Sequence, residues 1–463
     1  MFPTAAAIAH DVAARRRRAV DVIQEALAAV ETRNPALNAI VTVNPRALDD
    51  ARALDARIAA GIPPGLLAGV PVAIKDVTPV AGLRTTFGSP IYADHVPDAD
   101  AEIVRRLRAA GAIVIGKSNV PEFAAGANTW NTVFGPTRNP HDERLTCGGS
   151  TGGGAVALAT GMAALADGTD LGGSLRIPAA FCGVVGLRPS PGLVPQHPVD
   201  WVWDTISVAG PMARTVEDVA RMLQAIAGAS PEAPLGQPVH GRDFIAAATE
   251  ATLPPGTRVA YCPDIAGIGV DPSIEAACRA AAGSLAGHGV EVETIAFDLS
   301  GFRDTFITLR AEWFLAAMAS RLDRIDDFGV NVRANVEAGL ALAPRDLARA
   351  HHERGLLWAR MRALFAGVDY LLTPTTAVPP FPVEQNYPTE VAGRAMRTYV
   401  DWFAPTFLLS LTGLPIASVP VQHDARGLPV GLQVVGRPLG EEAVLTCAAA
   451  LERASARHFA RPV

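Results

Sequence analysis

Short apolar runs of β-forming residues alternate with segments of helical periodicity along much of the chain, and few folds satisfy that alternation. Residues 69–74 (GVPVAI) form one such run, followed by a turn-rich stretch to Pro90. Residues 112–115 (AIVI), 259–261 and 290–295 form others. Between them, Val20, Ile23, Leu27 and Val30 recur at helical spacing until Asn34-Pro35 stops the pattern. Asp100, Ile103 and Leu107 predict a second helix ending at Gly111, and Asp271-Pro272 opens another that Gly289 closes. Residues 302–366 read as continuously helical, with Trp313, Phe314, Met318, Trp358, Met361 and Phe365 spread along them. Core packing accounts for most of these side chains, and the rest are free to line a channel beside the irregular 374–382 stretch (PTTAVPPFP). The expected fold is α/β, a three-layer α/β/α sandwich around a large mixed β-sheet, with a helical insertion.

Composition narrows the class. At 463 residues, with 49% hydrophobic and 19% charged side chains, the chain is too apolar to be disordered and can bury a large core. A net charge of −6 gives no electrostatic footprint for nucleic acid, and the Arg15–Arg18 run reads as a solvated helix face. The cysteines Cys147, Cys182, Cys262, Cys278 and Cys447 are odd in number and far apart, which argues against a disulfide framework or structural zinc. A reducing cytoplasm fits them. No basic region precedes an apolar one at the N-terminus, so no secretion signal is expected. Residues 403–421 carry no charge after Phe403, but Pro405, Pro415 and Pro420 interrupt them, predicting buried core and not a membrane span.

Lysine occurs only as Lys75 and Lys117, so 38 of the 40 basic residues are arginine. A chain so biased uses arginine wherever a fixed positive charge suffices. Each remaining lysine is therefore a candidate for work a guanidinium cannot do, such as giving up its proton. Lys75 stands at the carboxyl end of an apolar run, where α/β sheets keep their chemistry.

The stretch 147–188 (CGGSTGGGAVALATGMAALADGTDLGGSLRIPAAFCGVVGLR) holds two serines, Ser150 and Ser174, flanked by glycines, with a helix expected over 155–166. Small residues allow successive N–H groups to face one concavity, as an oxyanion requires. A phosphate loop would need a GKS or GKT ending or a GxGxxG phase, and neither occurs in 148–154. Residues 148–152 match GxSxG formally, which admits a Ser/His/Asp hydrolase using His351, His352, His423 or His458. A third chemistry activates a serine with a neutral lysine, Lys75, whose burial depresses its pKa. Glycine turns that merely let strands pack are the bland alternative.

Taken together, GVPVAIKD (69–76), GKSNVPEF (116–123), FGPTRNP (134–140), GGSTGG (148–153), GTDLGGSLRIPAAFCGVVGLRPSPG (168–192), GLPIASVPV (413–421) and GLPVGLQVVG (427–436) resemble the amidase signature family in content and order. The intervals of 75 residues from Lys75 to Ser150 and 24 from Ser150 to Ser174 are similar to that family's spacing. The resemblance implies one domain over 1–463: N-terminal helices in 1–60, a catalytic core in 65–295, a helical insertion with pocket-bordering loops in 300–400, and the rest of the core in 401–463.

It also implies that Ser174 is the nucleophile, Ser150 a bridging serine preceded by a cis peptide bond, and Lys75 the terminal base. The N–H groups of Leu171, Gly172, Gly173 and Ser174 would form an oxyanion hole. Asp170 and Arg176 would hold the loop, Thr151 stands where a second serine is common, Cys147 where proline is, and Lys117 at a structural position. The implied activity is hydrolysis of a C–N bond in hydrophobic or aryl amides, anilides or carbamates, with no metal or cofactor, by a monomer or homodimer. A glutaminyl-tRNA amidotransferase subunit, which needs a protein partner, is the alternative within the family, and a non-catalytic binding descendant the alternative outside it.

Overall fold

The computed structural model describes residues 2–250, 252–287 and 289–456. Its centre is an 11-stranded mixed sheet. In chain order the strands are β1 (Ile40–Val43), β2 (Pro71–Lys75), β3 (Ile113–Ser118), β4 (Leu165–Asp170), β5 (Val185–Arg188), β6 (Val208–Ala213), β7 (Arg258–Tyr261), β8 (Glu291–Thr294), β9 (Tyr370–Pro374), β10 (Ile416–His423) and β11 (Pro429–Val435). In space they run β1-β3-β2-β4-β6-β5-β10-β11-β9-β7-β8. β3, β2 and β4 are mutually parallel, as are β9, β7 and β8, and the strands between pair antiparallel.

Successive strand residues point to opposite faces, and here they enter two different cores. Leu371, Ile416 and Ala260 join one cluster, whereas their neighbours Leu372, Ala417 and Tyr261 join the other. The first cluster is roofed by Phe306, Leu357, Met361 and Phe407 from the 303–410 region, the second by Val22 and Leu445 from helices near the two ends of the chain and by Val219 from the Val216–Ile226 helix. Two cores on two faces make the three-layer α/β/α sandwich, so the fold class expected from the sequence is the one observed.

Several local expectations are corrected. The helix expected to stop at Asn34-Pro35 runs from Ala19 to Leu37 with Pro35 inside it, and ends at Asn38 in the left-handed conformation. The Arg15–Arg18 run is not a helix face but the link between two helices, with Arg15 at positive φ and Arg18 capping the second. The helix expected over 155–166 spans Gly152–Ala159, and Ala166 belongs to β4. The helix from Pro272 closes at Gly283, before Gly289. Residues 302–366 divide into helices Arg303–Ala317, Val330–Leu340 and Pro344–Phe365 with a 3-10 segment at Ala319–Asp327. The uncharged 403–421 stretch is buried, as helix Ala404–Ser410 and the start of β10. No helix among the described residues is long and apolar enough to cross a membrane.

The Gly152–Ala159 helix lies against β4 with its first turn pressed onto the chain leaving β3. A Cβ on Gly153 would stand 2.3 Å from the Asn119 nitrogen and 2.6 Å from the Ala39 carbonyl oxygen. Backbone cannot yield as a side chain does, so Gly153→Ala is expected to destabilise the protein by about 1–3 kcal/mol. Urea unfolding checks this, and an unchanged midpoint would mean the contact tolerates a methyl group.

Candidate active site

β2 and β4 are parallel neighbours, with Val72 opposite Leu165 and Ala73 opposite Ala166. Their carboxyl ends therefore lie side by side, Lys75 on one and Thr169 and Asp170 on the other. Lys75 is fully buried, and its Nζ is 2.8 Å from Ser150 Oγ and 2.8 Å from Thr169 Oγ1. Ser150, also fully buried, follows a cis peptide bond from Gly149. Ser174 comes four residues after the end of β4, and its carbonyl accepts a hydrogen bond from the Thr151 N–H at 3.2 Å. That bond ties the two serine loops together. Ser174 is half-buried, in contrast to the enclosed Lys75–Ser150 pair.

The surroundings favour an uncharged amine. Among the described residues the groups that meet Nζ are the hydroxyls of Ser150 and Thr169, both uncharged. Burial lowers the Lys75 pKa to about 7, against the opposing pull of Asp167 and Asp170. Of the other buried charged groups near it, Lys117 pairs with Asp76, and Arg176 and Arg188 pair with Asp170.

Asp170 organises the Ser174 loop. Its two oxygens accept from the Gly173 and Leu175 N–H groups at 2.9 and 3.1 Å, and from Arg176 Nε and Nη2 at 3.0 and 2.9 Å. Arg188 donates to its carboxylate at 3.2 Å and to its main-chain oxygen. Although burial works against the charge, the two guanidinium groups hold Asp170 well below the usual carboxylate range. Gly173 has φ +131°, and a Cβ there would meet Thr406 Oγ1 at 2.4 Å, so both conformation and space require glycine. Because the Gly173 N–H is occupied by Asp170, of the four amides expected to receive an oxyanion only those of Leu171, Gly172 and Ser174 donate to no acceptor among the described residues.

A cavity of about 330 Å³ begins at Thr169, one side chain away from the lysine. Phe87, Phe123, Trp313 and Met318 form much of its wall, so two of the insertion residues singled out in the sequence line a cavity. Phe314, Met361 and Phe365 are core, and Trp358 is on the surface. The 374–382 stretch lines neither this cavity nor the larger one near Trp130, and its Phe381 packs on Phe181 and Trp402.

Thr151 lies beside the site with its hydroxyl buried and without a hydrogen-bond partner among the described residues. Arg176 is fully buried on Asp170. Cys147 is buried, its thiol pushed up to about 12 by burial. All five cysteines are unpaired. Lys117 is enclosed 3.6 Å from Asp76, its pKa brought down to about 8 by burial.

Of the histidines considered for a Ser/His/Asp relay, His351 pairs with Glu312 at 3.4 Å and His423 lies edge-on to His141. His352 is exposed, and His458 falls outside the described residues. Thr169 and Asp167 were missed from the sequence. The available signal was spacing: residues 167 and 169 share one face of β4, toward the lysine.

A family model described as Amidase matches residues 21–445. The A subunit of a glutamyl-tRNA(Gln) amidotransferase from Carboxydothermus hydrogenoformans is 33% identical, covering 100% of this chain and 99% of that one. Among solved structures, a bacterial aryl acylamidase of the amidase signature enzymes superposes with a TM-score of 0.91 at 28% identity, covering 98% of this chain and 96% of that one. The glutamyl-tRNA(Gln) amidotransferase A subunit of Thermotoga maritima superposes with a TM-score of 0.76 at 28% identity, covering 95% and 93%.

Asp170→Asn keeps the shape of the hub and removes the charge that Arg176 and Arg188 share. Leaving buried cations uncompensated is expected to reduce unfolding free energy by about 3–5 kcal/mol. Urea unfolding at neutral pH reads the loss; a variant as stable as the parent would show that the arginines do not need this carboxylate.

Proposed function

Since the chain belongs to the amidase family, we propose that it breaks an amide C–N bond by acylating Ser174, with Lys75 and Ser150 moving the protons. The observation that carries this reading is the enclosed Lys75 Nζ, 2.8 Å from Ser150 Oγ, with two hydroxyls and no carboxylate in direct contact with it among the described residues. The neutral amine accepts the Ser150 proton while Ser150 Oγ accepts that of Ser174. The freed Ser174 oxygen attacks the carbonyl carbon, and the oxyanion receives the N–H groups of Leu171, Gly172 and Ser174. Ser150 then donates a proton to the leaving nitrogen, taking one back from Lys75, as the C–N bond breaks. Water, deprotonated through the same pair, releases the acid and restores Ser174. The arrangement calls for no metal or cofactor.

For the substrate, the aromatic wall beside Thr169 supports hydrophobic or aryl amides, and carbamates share the chemistry. The high similarity in shape to an aryl acylamidase points the same way. The curated relatives support a second reading at least as strongly: eight of them, 32–35% identical, are all named as the A subunit of glutamyl-tRNA(Gln) amidotransferase. In that reading the same relay releases ammonia from glutamine for a partner protein. Pure protein that hydrolyses p-nitroanilides but not glutamine establishes the first. Glutaminase activity, with co-purification of a partner from the native host, establishes the second.

Lys75→Ala is expected to slow acylation by about 10²–10⁴-fold, and retained activity rules out the base. Ser174→Ala is expected to abolish labelling by a fluorophosphonate probe. The relay requires the uncharged amine, whose pKa is about 7, so kcat/KM should fall about tenfold per unit below that pH. A flat profile between about pH 5 and 8 would exclude it.

A further inference from the structure

The relay uses one buried lysine and leaves a second lysine and two carboxylates unexplained beside it. Asp167 Oδ1 accepts the Lys75 backbone N–H at 2.5 Å, and Oδ2 accepts the Thr78 hydroxyl at 2.7 Å. The Thr78 carbonyl in turn accepts from Lys117 Nζ, and Lys117 stands 3.6 Å from Asp76. Asp167 is 1% exposed. A carboxylate this enclosed is costly to keep, and among the described residues it makes no hydrogen bond to either serine that would explain it.

We propose that Asp167 is a positioning residue that sets the proton affinity of Lys75. Its carboxylate grips the lysine's backbone at the end of β2, and its negative charge keeps the amine basic enough to take a proton inside a site that excludes water. The inference rests on the reading of Lys75 as the base. Burial alone would leave the amine a poor acceptor at neutral pH, since a base works best with a pKa near the working pH. The charged groups around the lysine come from its two flanking strands and the segments packed on them. From β4 come Asp167 and Asp170; behind Asp170 stand Arg176 and Arg188, whose guanidinium groups absorb its charge. From β3 comes Lys117, paired with Asp76. Ser150 and Thr169 are neutral. Asp167 is thus the carboxylate beside Lys75 whose oxygens, among the described residues, contact no cationic side chain directly; burial pushes its own pKa up, and the Lys75 N–H, the Thr78 hydroxyl and the two lysines oppose that and favour its charge.

Asp167→Asn tests this with little change of shape. The amide oxygen can accept the Lys75 N–H, and the amide nitrogen can donate to a reoriented Thr78 hydroxyl. The readout is the rate of fluorophosphonate labelling of Ser174 as a function of pH, which needs no knowledge of the substrate. The acid-side midpoint is expected to move down by about one pH unit, and the plateau rate to fall severalfold because the base is weaker. Thr78→Val removes a hydrogen bond that stabilises the Asp167 charge and should move the midpoint the same way by less, so it decides the matter if Asp167→Asn does not fold. A lower plateau with the midpoint unmoved in a folded variant would overturn the proposal, leaving Asp167 a packing role. If instead Lys75→Ala labels as fast as the parent, the base assignment itself fails, and the two outcomes are distinguishable.

Discussion

The proposed chemistry depends on taking a primary amine out of water without giving it a direct counter-ion. A lysine that keeps hydration stays protonated and is useless as a base, whereas one buried against a carboxylate stays protonated for the opposite reason. Lys75 avoids both. It ends a fully buried strand, its amine meets two hydroxyl groups, and the nearest carboxylates are engaged elsewhere: Asp170 by two arginines, Asp167 by a backbone N–H and a threonine. The parallel pairing of β2 with β4 makes this possible, because it brings the lysine and those carboxylates to the same edge of the sheet. An antiparallel neighbour would place its carboxyl end at the far side.

Much of the fold was legible in the sequence because its strands are short apolar runs bounded by turns, and the helices between them have strong periodicity. The departures share a cause, which is tertiary packing overriding a local signal. Pro35 is tolerated near the end of its helix, where Asn34 caps the following strand by accepting the Ala39 and Ile40 N–H groups. Ala166 continues an alanine-rich run that reads as helix, yet it pairs with Met212 in β4 because the sheet needs a strand there. Residues 302–366 read as one helix because the first break is itself largely a 3-10 helix, Ala319–Asp327, and the second, 341–343, is three residues long, marked only by Pro344 opening the next helix.

The site was legible to the extent that its residues are compositionally odd. Two lysines in an arginine-rich chain drew attention to positions 75 and 117, and both are completely enclosed within one hydrogen-bonded network. Glycine density marked both serine loops. Thr169 and Asp167 carry no such mark: a threonine in a strand is ordinary, and an aspartate before glycine reads as a turn. Nor could sequence show that Asp170 occupies the Gly173 N–H, because which amide of a glycine loop stays free depends on where one carboxylate points.

The segments that hold the proposed relay and those that shape the cavity are largely different. Lys75, Ser150 and Ser174 lie within the sequence blocks that carry the family resemblance, while most of the aromatic and charged cavity wall comes from residues 196–207 and 313–321, outside those blocks. Trp313 is fixed there by donating its indole N–H to Asp204 at 2.5 Å, and Arg321 by donating to Tyr92 and Asp200. None of these contacts involves the lysine or either serine. Changes in the wall can therefore alter which acyl or leaving group fits without disturbing proton transfer. That separation offers a physical reason why relatives in sequence and relatives in shape bear names for different reactions while sharing one fold.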